Sequence, residues 1–222
     1  VKPFLLRGIL RKAITQPARP GNKDREGAYG RGPKRGMIFG MTAQPKDRMT
    51  VEEYLAWSEA QEGRFELIDG VVYAQASERA AHAEMKGLVF IALTNALKKG
   101  GGCRAMVDGL GVRVGASTVF EPDALVYCGP KLPRDALLVD NPVIVVEVIS
   151  PTSGRNDNTR KMAGYFNVPG IRHYLIVDPD DRLVVHHERR ADGVVVSHIL
   201  TEGVARMDPP GIELALADLY EA

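Results

Sequence analysis

The alternation of apolar and polar residues becomes regular at Thr50. With Glu53 three residues on, Thr50 forms a capping box and predicts a helix over Thr50–Ala60. Phe65-Glu66-Leu67-Ile68 and Val71-Val72-Tyr73-Ala74 flank Asp69-Gly70, a favoured two-residue turn, and predict a β-hairpin. Met85, Leu88, Val89, Ala92, Leu93, Ala96 and Leu97 share one face of a helix over about Glu78–Lys99, which Gly100-Gly101-Gly102 stops. Strand-like runs follow at Arg104–Asp108, Gly111–Val114 and Val119–Tyr127, then a polar loop over Lys131–Asp140. Val143–Ile149 is nearly continuous apolar, β-branched sequence, with Pro142 before it and Ser150-Pro151 after it. That pattern predicts a strand buried on both faces. A short helix over about Asp157–Phe166 leads to strands at Tyr174–Val177, Leu183–His187, Val194–Leu200 and Ile212–Leu216. The chain shows no internal repeat. The sum predicts a mixed sheet with two main helices, class α/β or α+β.

One residue breaks the buried run. Glu147 places a carboxylate in the middle of it, and a buried charge requires a partner or a metal ion. The strand itself offers no basic residue. Phe120-Glu121-Pro122-Asp123 leaves Asp123 at the head of the apolar run Ala124-Leu125-Val126-Tyr127, because proline is tolerated where a strand begins. Asp123 and Glu147 lie on two strands joined by a loop long enough to make them neighbours. Two carboxylates aimed at one point suit Mg²⁺, which takes few protein oxygens and keeps several waters. Glu66 is a third acid in an apolar strand, and Lys161 and Tyr165, four apart, share a helix face. A lysine beside such a centre can stabilise charge on a phosphate. Each residue also has an ordinary structural role open to it: a buried ion pair for Glu147, a turn for Asp123, a solvent-facing hairpin position for Glu66, a solvated helix position for Lys161. His82, at the start of its helix, reads first as a satisfied histidine.

Charge separates the first 40 residues from the rest. They hold ten Lys/Arg against two Asp/Glu, a charge of +8, which leaves −7 on the remainder. From Gln16 to Gly40 the composition is rich in Gly, Pro, Arg and Lys, which favours disorder. Residues 1–40 therefore read as a disordered basic extension ahead of one domain over 41–222. The chain begins with Val, and a mis-called start, with Met37 or Met41 the true first residue, is the preferred explanation; a basic arm that touches nucleic acid or a partner is the alternative. Deleting residues 1–36 is expected to leave the melting temperature unchanged, and a drop of several degrees would overturn that reading. An acidic body is no footprint for non-specific nucleic-acid binding, so DNA would have to be met at a local site. No apolar run approaches the roughly 18–20 residues that span a bilayer. Cys103 and Cys128 suggest neither a disulfide framework nor a zinc spacing, which points to a reducing cytoplasm.

Several of these segments, taken in order, resemble a known family. They are Arg64-Phe65-Glu66-Leu67-Ile68-Asp69-Gly70, the helix with His82, Pro122-Asp123, Val146-Glu147-Val148-Ile149-Ser150-Pro151, Lys161 with Tyr165, and Tyr174-Leu175-Ile176-Val177-Asp178-Pro179. Together they resemble the Uma-two family of restriction-type endonucleases, which is similar to the PD-(D/E)XK nuclease superfamily, over about residues 46–220. The resemblance implies a restriction-endonuclease-like mixed β-sheet flanked by helices and a Mg²⁺-dependent endonuclease, with Mn²⁺ as a substitute, acting on DNA phosphodiesters. It implies Asp123, Glu147 and the Val148 carbonyl as metal ligands and Glu66 as an auxiliary acid. The superfamily's lysine normally stands two residues after the second acid, where this chain has Ile149; Lys161 looks like its migrated replacement. A homodimer is expected by analogy with enzymes that cut both strands. Two other classes stay open: a catalytically inert relative that binds DNA or protein, and a metal hydrolase of small phosphoesters.

Overall fold

The computed structural model describes residues 48–75, 77–98, 102–149 and 155–221, with backbone alone for 155–157. These residues belong to the unit Gln44–Ala222. The basic stretch 1–40, both candidate start methionines, Ser150-Pro151 and the first two glycines of the Gly100–Gly102 stop lie outside the described residues.

In chain order the elements are α1 (Val51–Ser58), β1 (Phe65–Ile68), β2 (Val71–Ala74), α2 (Ala80–Leu97), β3 (Cys103–Val107), β4 (Val112–Gly115), β5 (Thr118–Phe120) and β6 (Ala124–Cys128). They continue with β7 (Ile144–Val148), α3 (Arg155–Tyr165), β8 (His173–Asp178), β9 (Leu183–Arg189), β10 (Val195–Leu200), β11 (Val204–Met207), β12 (Ile212–Ala215) and α4 (Ala217–Tyr220).

Local chemistry accounts for the first elements. Thr50 Oγ1 accepts from the Glu53 N–H at 3.2 Å, and the Glu53 carboxylate accepts from the Thr50 N–H at 2.8 Å, so the capping box closes and starts α1. Asp69 (φ 50°) and Gly70 (φ 79°) both occupy the left-handed region that a two-residue hairpin requires between β1 and β2. A Cβ on Gly70 would lie 2.6 Å from Arg48 Cβ, so glycine is also needed for the close approach of the segment before α1.

Where one mixed sheet was expected, the described strands form three. A six-stranded sheet runs β10-β9-β8-β7-β6-β3, a four-stranded sheet runs β2-β1-β5-β4, and β11 pairs with β12. In the large sheet β7 and β8 are parallel and joined through α3, and the other neighbours are antiparallel. All five residues of β7 are buried, as its composition predicts. Its two faces serve two cores. Ile144, Val146 and Val148 join a cluster with α2, β12 and α4; Val145 joins another with Tyr165, Tyr174, Ile176, and Val112 and Phe120 of the small sheet. β11 had no expected counterpart, because Val204–Met207 is short and mixes apolar residues with Arg206; it pairs only with β12, and its Ala205 and Met207 join the core beneath α2.

Two sequence expectations are corrected. Val119–Tyr127 is not one strand. The chain leaves the small sheet after Phe120 and enters the large one at Ala124. Pro122 has no N–H to give a ladder, so the pairing is interrupted there and the chain switches sheets. The cysteines are also not free thiols: Cys103 and Cys128 face each other in the β3–β6 register, 4.0 Å apart at Cα, and are disulfide-bonded. Residues 25 apart in sequence gave no cue to that pairing; the strand register creates it. The cysteine-based argument for a reducing compartment therefore falls. Among the described residues, no helix is long and apolar enough to cross a membrane.

The cross-link carries a testable consequence. Closing a loop of this length stabilises a fold by about 3 kcal/mol, or roughly 6–12 °C for a chain of this size. Dithiothreitol is expected to lower the melting temperature by that amount, and Cys103→Ser/Cys128→Ser to melt like the reduced protein and ignore reductant. Identical melting with and without reductant would show that the bridge contributes nothing.

Candidate active site

The sheet switch at Pro122 places Asp123 just ahead of β6. Ala124 faces Val146 in the antiparallel register, so one step further back Asp123 stands across from Glu147. Asp123 Oδ2 accepts from the Val148 N–H at 2.7 Å, which fixes the carboxylate on the β7 backbone. Val148 thus meets Asp123 through its amide. Glu147 alternates with Val146 and Val148, so its side chain enters the face that α3 covers.

α3 supplies the partners that β7 lacks. Lys161 Nζ lies 3.0 Å from Glu147 Oε1 and 3.0 Å from Glu66 Oε1. Tyr165 Oη donates to the same Glu147 oxygen at 2.6 Å. Burial and then Glu147 raise the Tyr165 phenol well above its ordinary range, so it remains a donor. α3 can approach this closely because residue 164 is glycine: a Cβ there would lie 2.5 Å from Phe120 Cε2. Glu66 comes from β1 and accepts from the Glu121 N–H at 2.9 Å, in the same segment that switches sheets. Glu66, Asp123, Glu147 and Lys161 are each 7–8% exposed. All four sequence candidates therefore converge, from β1, the β5–β6 switch, β7 and α3. Burial, opposed by Lys161 but reinforced by Asp123 and Glu66, pushes the Glu147 carboxyl up to about 7.

A second charged layer lies beyond Asp123. His82, on the first turns of α2, places Nε2 3.3 Å from Asp123 Oδ1. The hydrogen bond to Asp123 raises the imidazole's pKa against the opposing effect of burial. Lys86, one turn further along α2, places Nζ 2.5 Å from Glu78 Oε1, 2.7 Å from Asp108 Oδ2 and 3.9 Å from Asp123 Oδ1. Burial works against its charge, but Asp108 and Glu78 outweigh it and raise its pKa. Arg64 binds Glu78 at 2.6 Å and Glu121 at 2.7 Å, and also meets Asp108.

Comparison with known proteins gives the family and the fold. The family model Uma2, described as "Putative restriction endonuclease", matches residues 51–217, most of the chain. The chain belongs to the Uma2 family. A crystal structure of a "putative nuclease belonging to DUF820" from Anabaena variabilis superposes with a TM-score of 0.63 at 16% identity, covering 78% of this chain and 98% of that one. The Uma2 chain shares that fold, a restriction-endonuclease-like mixed sheet flanked by helices. An uncharacterized protein of Synechocystis is 27% identical over 158 residues, 71% of this chain and 83% of that protein.

Part of this charged layer of the Uma2 chain is harder to see in the sequence. His82, expected as a satisfied histidine, finds its partner in Asp123; Glu78, Lys86, Arg64, Asp108 and Glu121 are not among the candidates the sequence points to. A signal existed for three of them. Glu78, His82 and Lys86 are spaced by four; His82 and Lys86 share a face of α2 whose neighbouring positions Met85 and Val89 are core, and Glu78 lies just ahead of its first turn. Arg64, Asp108 and Glu121 left no such signal, because only the hairpin and the sheet switch bring them together.

Proposed function

We propose that this chain is a divalent-metal-dependent endonuclease that hydrolyses phosphodiester bonds of DNA. One observation carries the reading: three buried carboxylates, Glu66, Asp123 and Glu147, converge from β1, the β5–β6 switch and β7, with Lys161 3.0 Å from both Glu66 and Glu147 and Asp123 held by the Val148 amide. A structural ion pair would balance one acid with one base. Here burial first, reinforced by Asp123 and Glu66 against the opposing Lys161, holds the Glu147 carboxyl at about 7, and hard carboxylate oxygens are the donors Mg²⁺ takes. Asp123 and Glu147 would hold the ion, with the Val148 carbonyl as a third ligand and Glu66 as auxiliary acid; Mn²⁺ would serve in its place.

When bound, the ion would supply positive charge at the scissile phosphate and acidify a water molecule. The chain's own groups do the rest. The Val148 amide keeps Asp123 turned toward Glu147. Tyr165 and Lys161 hold Glu147 in one rotamer. The Lys161 ammonium, delivered by α3 into a buried site, holds charge that develops on the phosphate oxygens. With an acidic body, affinity for DNA comes from this local site, and cutting both strands calls for a second copy of the chain.

The test is incubation with plasmid, single-stranded DNA and RNA, in Mg²⁺, Mn²⁺ or EDTA. Cleavage of DNA that requires metal is expected. DNA binding without cutting in any metal would mark an inert nuclease-like module, and turnover of small phosphoesters alone would mark a different hydrolase.

A further inference from the structure

The mechanism above leaves the layer beyond Asp123 unused, and that layer has the shape of a cation site. Glu78, His82 and Asp123 offer three ligand atoms within 4.8 Å of one another. Yet the place already contains a positive charge. Lys86 is 5% exposed, and its ammonium reaches Glu78 Oε1 at 2.5 Å, Asp108 Oδ2 at 2.7 Å and Asp123 Oδ1 at 3.9 Å. The Glu78 Oε1 that Lys86 holds also accepts from Arg64 at 2.6 Å. A divalent ion placed there would stand beside a buried ammonium and compete with it for the same lone pairs.

We propose that Lys86 serves as a built-in cation in place of a second metal ion, so that the site takes one divalent ion and not two. The proposal rests on the reading of Asp123 and Glu147 as metal ligands. It makes Lys86 a positioning residue. Asp123 Oδ2 is fixed by the Val148 amide, and Oδ1 is turned toward Lys86 and His82. The shared carboxylate is thereby oriented by α2 on one side and by β7 on the other. Lys161 and Lys86 then divide the work: one faces Glu147 and Glu66, the other fills the position a second ion would take.

Counting ions tests this directly. The full chain is titrated with MnCl₂, and free Mn²⁺ is read by electron paramagnetic resonance. The wild type is expected to bind one ion per chain. Lys86→Gln, which removes the charge, is expected to bind two, and adding His82→Ala to it to return the count to one. If Lys86→Gln does not fold, as judged by circular dichroism, Lys86→Met/Asp108→Asn removes the ammonium together with one of its acids and is expected to bind two. Two ions in the wild type would overturn the proposal while leaving the Asp123–Glu147 site standing. One ion in both the wild type and a folded charge-removed variant would overturn it as well. No ion in the wild type would overturn the metal reading itself, and this inference with it.

Discussion

Replacing Asp123 or Glu147 with alanine is expected to abolish metal-dependent DNA cleavage while leaving a folded protein. The two carboxylates stand across from each other at the β6–β7 register, and one is tied to the β7 backbone by a 2.7 Å hydrogen bond. Loss of either leaves a hard divalent ion with one protein carboxylate of the facing pair. Lys161→Ala should behave differently. A lysine is not a ligand, so Mn²⁺ should still bind, while cleavage slows by roughly 10²–10³-fold, the scale for removing one preorganised electrostatic group. Cleavage rates and Mn²⁺ binding, measured on the same preparations with circular dichroism to verify folding, separate the two roles. An Asp123→Ala protein that still cuts would end the metal assignment. A fully active Lys161→Ala protein would move the cationic role elsewhere.

The second large effect is on stability. In EDTA, Glu147→Gln is expected to be at least as stable as the wild type above neutral pH. Burial first, then Asp123 and Glu66, outweigh Lys161 and raise the folded-state pKa of Glu147 from 4.5 to about 7. A carboxylate with a raised folded pKa binds its proton more tightly in the folded state than in the unfolded chain. Its contribution is therefore lost as pH rises from about 4.5 to about 7, and stays lost above that. The loss is on the order of 3 kcal/mol. Gln has no proton to lose, so the variant's melting temperature should be flatter across this window. Removing the charge does not strand Lys161, which keeps Glu66 at 3.0 Å. An ion that binds only the folded state adds about 2.7 kcal/mol at a hundred times its dissociation constant, roughly 5–10 °C for this chain length. Mg²⁺ or Mn²⁺ should raise the wild-type melting temperature by that amount and the variant's hardly at all. A purely structural Lys161–Glu147 pair predicts the opposite: loss of about 3–5 kcal/mol with or without metal. Glu147→Gln melting well below the wild type in EDTA at pH 8 would decide for the structural pair.

The sequence by itself determined most of the elements and the acids. The capping box at Thr50, the Asp69-Gly70 turn and the unbroken apolar run of β7 are local: each is dictated by neighbours a few residues away, and each is found where it was read. Glu147 was legible for the same reason, since a carboxylate inside a strand covered on both faces demands a counter-charge wherever the rest of the chain runs. What answers that demand was decided by tertiary structure. Lys161 and Glu66 meet at Glu147 because α3 crosses over β7 and closes on Phe120 through Gly164. Pro122 was read as a strand start. That it passes the chain from one sheet to another, and so sets Asp123 opposite Glu147, depends on a pairing partner absent from the local sequence. The Cys103–Cys128 bridge and the net of Arg64, Lys86, Glu78 and Asp108 are non-local in the same sense. Hydrophobic period reports which face of an element is buried, but not which element covers it. Contacts between residues tens of positions apart are fixed only by register and crossover.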